Sequence, residues 1–309
     1  MTKILVTGIN GFVGHHLARE LHGREVEVIG VGREAEPKDS IRNQLSDYAK
    51  ADLTLEDDVS RLPLSQTDAV ISLAGLAKVG DSFKNPDQYN KVNVAVLELI
   101  GKMVLNRNQK TRVIAISTGA VYDPHQDLPL TEDSKTTMDS SPYAMSKLLM
   151  EEAAGRLRAY GLECVVVRPF NHIGPDQETG FLVPDLYQKI AAALQNGQPV
   201  EVGNLKTKRD YTDVRDVVKA YANLALDKKL ENSLYNVCSS NSVAGETILE
   251  AMLKLMGATD RVHIKVNQEL IRPNDPLDIY GSHERLTAET GWQPSMSLDK
   301  ALEDFVNSK

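Results

Sequence analysis

Cysteine is scarce in this chain: Cys164 and Cys238 are the only two among 309 residues, far apart and each inside an apolar run. Two such thiols fit buried side chains and argue against a disulfide framework or a cysteine metal site. Long apolar stretches are missing as well; nothing approaches the roughly 20 residues that span a bilayer. Basic residues are outnumbered, 35 Lys and Arg against 43 Asp and Glu, giving a formal net charge of −8. That balance argues against nucleic acid or an anionic membrane as partner, and an anionic substrate would need a local cluster of cations. The opening MTKILVTG meets glycine too soon for a secretory h-region, so a cytoplasmic protein is expected. His15 and His16 lack further ligands at metal spacing, and no metal site is expected. Repeats and low-complexity segments are absent.

What is present is the composition of a globular protein with a sizeable core, 41% apolar and 25% charged. Strand-like and helix-like patterns alternate from the start, the signature of an α/β, doubly wound parallel sheet of Rossmann type. Strands are expected at 3–7, 25–32, 68–75, 112–118 and 163–169, with helices at 93–108 and 141–161. After Pro169 the texture changes: RPFNHIGPDQETG is rich in turn formers and reads as a functional loop. A helix at 182–196, a short strand at 199–203 and a helix at 214–228 follow. The apolar run at 233–239 suits a return to the sheet, and two amphipathic helices flank RVHIKV in the tail. The expected division is a dinucleotide-binding domain of residues 1–169 plus about 214–239. A smaller substrate-binding α/β domain would take 170–213 plus 240–309.

TGINGFVG places Gly8, Gly11 and Gly14 directly after a strand and at the start of a helix. Glycines there allow a tight turn, close approach of backbone to a pyrophosphate, and close helix–strand packing, while the helix N-terminus favours phosphate. Asn10, Phe12 and Val13 complete the expected cofactor loop. Where the second strand ends, folds that choose NAD often present a carboxylate to the adenosine ribose. Here Arg33 stands at that end, with Glu34 next. A guanidinium would pair with a 2′-phosphate, which favours NADP(H). Stacking of Arg33 on adenine, or Glu34 reaching the ribose, leaves NAD(H) open. Asp52 and Leu53 fall where such folds contact adenine.

The fourth strand ends at Ser117 and Thr118, at the edge where open α/β sheets bind ligands. Tyr143 follows on the first turn of a helix, with Lys147 on the same face. A Tyr-x-x-x-Lys alone means little, since chance supplies one in roughly half of chains with this composition. In this context it has a use. A phenol near its usual pKa of ~10 is a poor acid–base catalyst at neutral pH, and a fixed ammonium nearby favours the phenolate. Thr118 would hold the reacting oxygen beside Tyr143.

TGINGFVG, LAG, VNVAVLELI, STGAVY, YAMSK, RPFNHIGP, RDYTDVRD and YNVCS occur in an order that resembles an extended short-chain dehydrogenase/reductase of the nucleotide-sugar epimerase/dehydratase superfamily. The resemblance covers nearly the whole chain. It implies a catalytic set of Thr118, Tyr143 and Lys147 with Asn93 in support, although Asn93 alone would read as a helix N-cap. It also implies that Lys147 binds the nicotinamide ribose and that Leu73, Ala74, Gly75, Ser117 and Pro169 line the cofactor. A homodimer through a four-helix bundle of 93–108 and 141–161 is implied too.

Dehydratases of this superfamily carry acids just before the Tyr of the fourth-strand motif; Gly119 and Ala120 stand there, which disfavours elimination. Epimerase–reductases carry a His where a gapless match puts Phe181. RPFNHIGPDQETGFLVPDL and GSHERLTAETGWQP most resemble the subgroup that reduces GDP-4-dehydro-6-deoxy-D-mannose to GDP-D-rhamnose. Asp176 and Asp123 depart from it, each standing where that subgroup has Gly. Asn171, Val183, Lys189, Arg209, Arg272 and Asp275 are the substrate-binding residues the resemblance implies, with both arginines on the diphosphate and Asp275 on a ribose hydroxyl; His172 is expected to pack. A 4-epimerase with tightly bound NAD and a non-catalytic dinucleotide sensor are the competing expectations.

Overall fold

A computed structural model describes residues 1–107, 110–227, 229–271 and 275–309. The first half alternates strand and helix: β1 (Lys3–Thr7), α1 (Phe12–Gly23), β2 (Glu27–Gly32), β3 (Asp47–Lys50), α2 (Glu56–Ser60), β4 (Ala69–Ser72) and α3 (Val79–Ser82). There follow α4 (Pro86–Arg107), β5 (Arg112–Ile116), α5 (Pro142–Ala159) and β6 (Cys164–Pro169). The second half contains β7 (Asn171–Ile173), α6 (Leu182–Asn196), β8 (Val200–Val202), β9 (Lys208–Asp213), α7 (Val214–Leu226) and β10 (Leu234–Val237). It ends with β11 (Ser242–Ala244), α8 (Gly245–Leu255), β12 (Ile264–Val266), β13 (Asp278–Ile279), α9 (Glu284–Thr290) and α10 (Leu298–Asn307).

Seven strands form one parallel sheet in the order β10-β6-β5-β4-β1-β2-β3. Its central strands are buried on both faces, which is why KILVT and CVVVRP read as unbroken apolar runs rather than alternating ones. On one face Leu17, Leu21 and Tyr221, from α1 and α7, cover Val6, Ile71 and Ile114. On the other, Leu97, Ile100, Ala154 and Leu157, from α4 and α5, cover Leu5, Val70 and Val113. Each fully buried side chain of this kind contributes about 1.5–3 kcal/mol. The doubly wound parallel architecture is therefore as expected.

A second core joins α6, α8 and α10 through Ile190, Met252, Leu302 and Phe305. Beside it, β9 is flanked antiparallel by β11 and parallel by β7 and β13, while β12 pairs β8. A single residue, Phe170, separates β6 of the large sheet from β7 of the small one.

Several elements differ from expectation: β7 is a short strand within the segment read as a loop, and α9 adds a third helix to the tail. Strand β3, DYAK, lies at the sheet edge with its end residues exposed, so it carries no apolar run to announce it. Helix α4 begins at Pro86 rather than 93, because its first two turns are polar. The expected helix ends at Asn108 and Lys228, and the substrate residue Arg272, lie outside the described residues.

Candidate active site

Parallel pairing brings the carboxyl ends of all seven strands to one edge, and the glycine loop after β1, the loop after β4 and Thr118 beyond β5 lie there. The loop after β1 is shaped by glycine. Gly8 has φ +67°, and a Cβ on it would sit 3.0 Å from the Ala74 nitrogen. A Cβ on Gly14 would lie 2.6 Å from the Gly8 carbonyl oxygen. Only glycine fits both places, so backbone N–H groups at the start of α1 stand open to a phosphate. Thr7 Oγ1 accepts from the Ala74 N–H at 3.0 Å, locking this loop to the β4 loop that carries Leu73, Ala74 and Gly75. The cradle fits a dinucleotide pyrophosphate.

At the end of β2 the two candidate partners of the ribose part company. Asn10 Nδ2 donates to Glu34 Oε2 at 2.8 Å, and Asn10 Oδ1 accepts from the Lys38 N–H at 3.0 Å. A Cβ on Gly32 would meet that same Glu34 oxygen at 2.9 Å, so the carboxylate lies over the strand end. The Asn10 bond holds the Glu34 carboxyl below its ordinary range. The Arg33 side chain is exposed, and its charge helps to hold the Glu34 and Asp52 carboxyls below their ordinary range. Asp52 accepts from the N–H and hydroxyl of Thr54 at 3.0 and 2.7 Å, while the Leu53 side chain is buried in the core. Leu53 therefore offers a ligand its backbone and not its side chain.

Ser141 starts α5: its Oγ accepts from the Ala144 N–H at 3.1 Å and Pro142 occupies the first turn. That cap places Tyr143 at the helix mouth, half-buried, with its ring edge-on to Tyr89 at 6.4 Å. Burial pushes the Tyr143 phenol up to about 12, and the facing Thr118 hydroxyl draws it partly back. Lys147 lies one turn on, 8% exposed, and its Nζ donates to the Ile116 carbonyl at 2.7 Å. Burial brings this ammonium down to about 8, opposed by Glu151. The expected action of Lys147 on the phenol is thus not what the protein alone shows. The ammonium is turned to the end of β5, and Thr118 is the group that favours the phenolate.

Asn93 is within α4 and is not its cap. Its Oδ1 accepts from Leu76 N–H at 2.8 Å, and its Nδ2 donates to Leu76 O at 3.2 Å and Ser146 Oγ at 2.8 Å. It fastens the β4 loop to α5 rather than facing the phenol. Ser117 is buried, and its Oγ donates to Glu151 Oε1 at 2.5 Å. Pro169 is buried at the end of β6.

The substrate candidates are more scattered. Asn171 opens β7 with an exposed side chain, directly beyond Phe170. His172 packs as expected, stacked on Phe12 at 6.1 Å with Nδ1 3.1 Å from Phe170 O, and burial lowers its pKa. Val183 is buried in the second core, so only its backbone could meet a ligand. Lys189 is exposed and donates to Glu201 O at 2.8 Å. Arg209 and Asp275 are brought together, Nη2 to Oδ1 at 2.6 Å, and Arg209 also donates to Pro276 O at 2.9 Å. Asp176 adopts φ +67°, a conformation natural to the glycine that the resembling subgroup has there. Glu151 and Arg168, which the motifs gave no reason to single out, form a buried pair under the site. Among the described residues no cluster of His, Cys, Asp and Glu could hold a metal ion, and no helix is long and apolar enough to cross a membrane.

Comparison with known proteins agrees with this geometry. The model of the NAD dependent epimerase/dehydratase family matches residues 4–238. GDP-6-deoxy-D-mannose reductase of Pseudomonas aeruginosa is 30% identical, over 99% of this chain and 96% of that protein. UDP-glucose 4-epimerase of Pisum sativum is 29% identical, over 99% and 95%. The solved structure of RMD from Pseudomonas aeruginosa complexed with NADPH superposes with a TM-score of 0.84 at 28% identity, covering 100% of this chain and 98% of that one. A glycine cradle, a strand-end Thr118 facing Tyr143 and a matching family model lead to one conclusion: the chain belongs to the NAD dependent epimerase/dehydratase family, whose enzymes depend on NAD(P).

Proposed function

We propose that the protein reduces the 4-keto group of a nucleotide-diphospho-4-keto-6-deoxy sugar, with GDP-4-dehydro-6-deoxy-D-mannose as substrate and GDP-D-rhamnose as product. The observation that carries this reading is the Thr118 hydroxyl facing the Tyr143 phenol just beyond the end of β5, in a chain similar over 99% of its length to GDP-6-deoxy-D-mannose reductase. Reduction needs a proton donor at the carbonyl oxygen, and burial raises the Tyr143 phenol, which favours its proton-bearing form.

When bound, the nicotinamide supplies a hydride to C4 of the sugar. Tyr143 gives its proton to the carbonyl oxygen, and Thr118 fixes that oxygen by a hydrogen bond. Lys147, charged below about pH 8, would hold the ribose hydroxyls, and its positive charge would favour the phenolate left once the proton is given up. Gly119 and Ala120 stand where the dehydratases carry acids, which disfavours elimination. Asn171, the Val183 N–H, Lys189 and Arg209 with Arg272 would hold the nucleotide diphosphate and Asp275 a ribose hydroxyl; Arg209 must then exchange Asp275 for phosphate. The exposed Arg33 favours NADP(H).

The assignment of residues 170–213 plus 240–309 to substrate, the cytoplasmic location and a homodimer belong to the same proposal. For the dimer, the support is a groove between α4 and α5 in which Val94, Ala95 and Leu149 lie among the charged Lys91, Glu98, Glu152 and Arg156, a mixed surface that a second copy of these helices could cover.

The test is absorbance at the reduced-nicotinamide band with a panel of 4-keto-6-deoxy nucleotide sugars and both cofactors. GDP-linked keto sugar should be consumed with NADPH, and Tyr143→Phe should lower kcat by about 10²–10⁴-fold while NADPH still binds. The similarity to UDP-glucose 4-epimerase favours one other reading: purified protein carrying stoichiometric NAD and consuming no NADPH would make it an epimerase.

A further inference from the structure

Beneath the site lies a buried ion pair that the catalytic set does not use. Arg168, on β6, donates from Nε to Glu151 Oε1 at 2.9 Å and from Nη2 to Oε2 at 2.6 Å. The side chains are 6% and 13% exposed. The guanidinium also lies over the Tyr122 ring, 4.7 Å from its centroid, and Tyr122 donates to Asn236 on β10 at 2.6 Å. Replacing such a pair by apolar groups is often neutral or stabilising, so stability alone gives a weak reason for it.

Its connections give a better one. Glu151 is on α5, one turn beyond Lys147, and its Oε1 also accepts from Ser117 Oγ. Ser117 is the residue immediately before Thr118, and Ile116, immediately before Ser117, is the acceptor of Lys147. One carboxylate thus ties the end of β5 to the helix carrying the phenol and the ammonium. Lys147 itself has no carboxylate in direct contact among the described residues. Of the charged groups packed around it, Glu151 is the one whose field acts on it, Arg168 being engaged behind Glu151.

We propose that Glu151 is a positioning residue for the reaction: it fixes Thr118 against Tyr143 through Ser117 and supplies the negative field that keeps the buried Lys147 charged. This rests on the reading of Lys147 as the ribose-holding ammonium, and goes beyond it by naming what maintains that charge.

The experiment follows NADPH binding by nucleotide fluorescence from pH 6 to 10 in the full chain, with no sugar present. Wild type should lose affinity as Lys147 deprotonates. Glu151→Gln keeps an oxygen for Ser117 and removes the charge, so its alkaline limb should move down by roughly one pH unit. Glu151→Asp should recover part of that shift. Because Glu151→Gln leaves Arg168 unpaired and can fail to fold, Glu151→Gln with Arg168→Met serves as the second variant and should show the same displaced limb. An unmoved limb in either folded variant, with any change confined to melting temperature, overturns the proposal. Sugar turnover is measured separately: wild type that binds NADPH but reduces no keto sugar refutes the functional reading and leaves the Glu151 comparison intact.

Discussion

The Nζ of Lys147 lies 2.7 Å from the Ile116 carbonyl oxygen and, among the described residues, within bonding distance of no carboxylate. A charge is buried against a neutral dipole, which is costly for folding and useful to a ligand that brings its own acceptors.

The cost has a sign that can be measured. The folded-state pKa is about 8, below the ordinary ~10.4 of lysine. Between these values the unfolded chain binds more protons, so stability rises with pH across that window. Below pH 8 the penalty is fully present, on the order of 3 kcal/mol. Lys147→Met should therefore raise apo stability at pH 7 by about 1–2 kcal/mol, after the loss of one hydrogen bond, with the gain fading by pH 10. It should also abolish turnover. Urea denaturation at the two pH values checks this; a variant less stable than wild type at pH 7 would refute it.

Arg33 and Glu34 should separate the two cofactors. Arg33→Ala should reduce kcat/KM for NADPH by about 10- to 100-fold, the loss of one charge-assisted contact, and leave NADH nearly unchanged. Glu34→Gln should instead improve NADPH relative to NADH by removing a carboxylate that Asn10 holds over the strand end. Steady-state kinetics with both cofactors reads each ratio; equal losses for NADPH and NADH in Arg33→Ala would exclude contact with a 2′-phosphate.

Asp176 supplies a prediction about stability alone. Its φ of +67° costs an L-residue about 1–2 kcal/mol. The ion pair with Arg19, at 4.0 Å with both side chains more than 40% exposed, returns little. Asp176→Gly should stabilise the protein by about 1 kcal/mol in chemical denaturation. Destabilisation would mean that the unfolded-state entropy of glycine outweighs the relieved strain.

Much of this was legible in the sequence, for identifiable reasons. The central strands are buried on both sides and so appear as apolar runs; the cradle must be glycine because Cβ atoms would collide; Ser141 and Pro142 announce the start of the helix bearing Tyr143. The misses are equally physical. An edge strand such as DYAK needs no apolar face. Helix α4 begins in polar turns. The paired state of Arg209 and Asp275 depends on a β9–β13 contact between residues distant in sequence. Glu151 and Arg168 look like ordinary surface charges until α5 is laid on β6. Nor does spacing reveal that Lys147 turns to a backbone carbonyl instead of the phenol.

Phe170, between Pro169 and Asn171, has a consequence for how such a chain can change over time. It is 7% exposed, its N–H donates to Val237 O at 2.9 Å, and its ring would meet any Cβ on Gly281 at 2.6 Å. Adding or deleting one residue at this junction would turn every β7 side chain to the opposite face, including the exposed Asn171. New sugar preferences are thus expected to arise by exchanging side chains in the loops, while the length of the seam between the two sheets stays fixed.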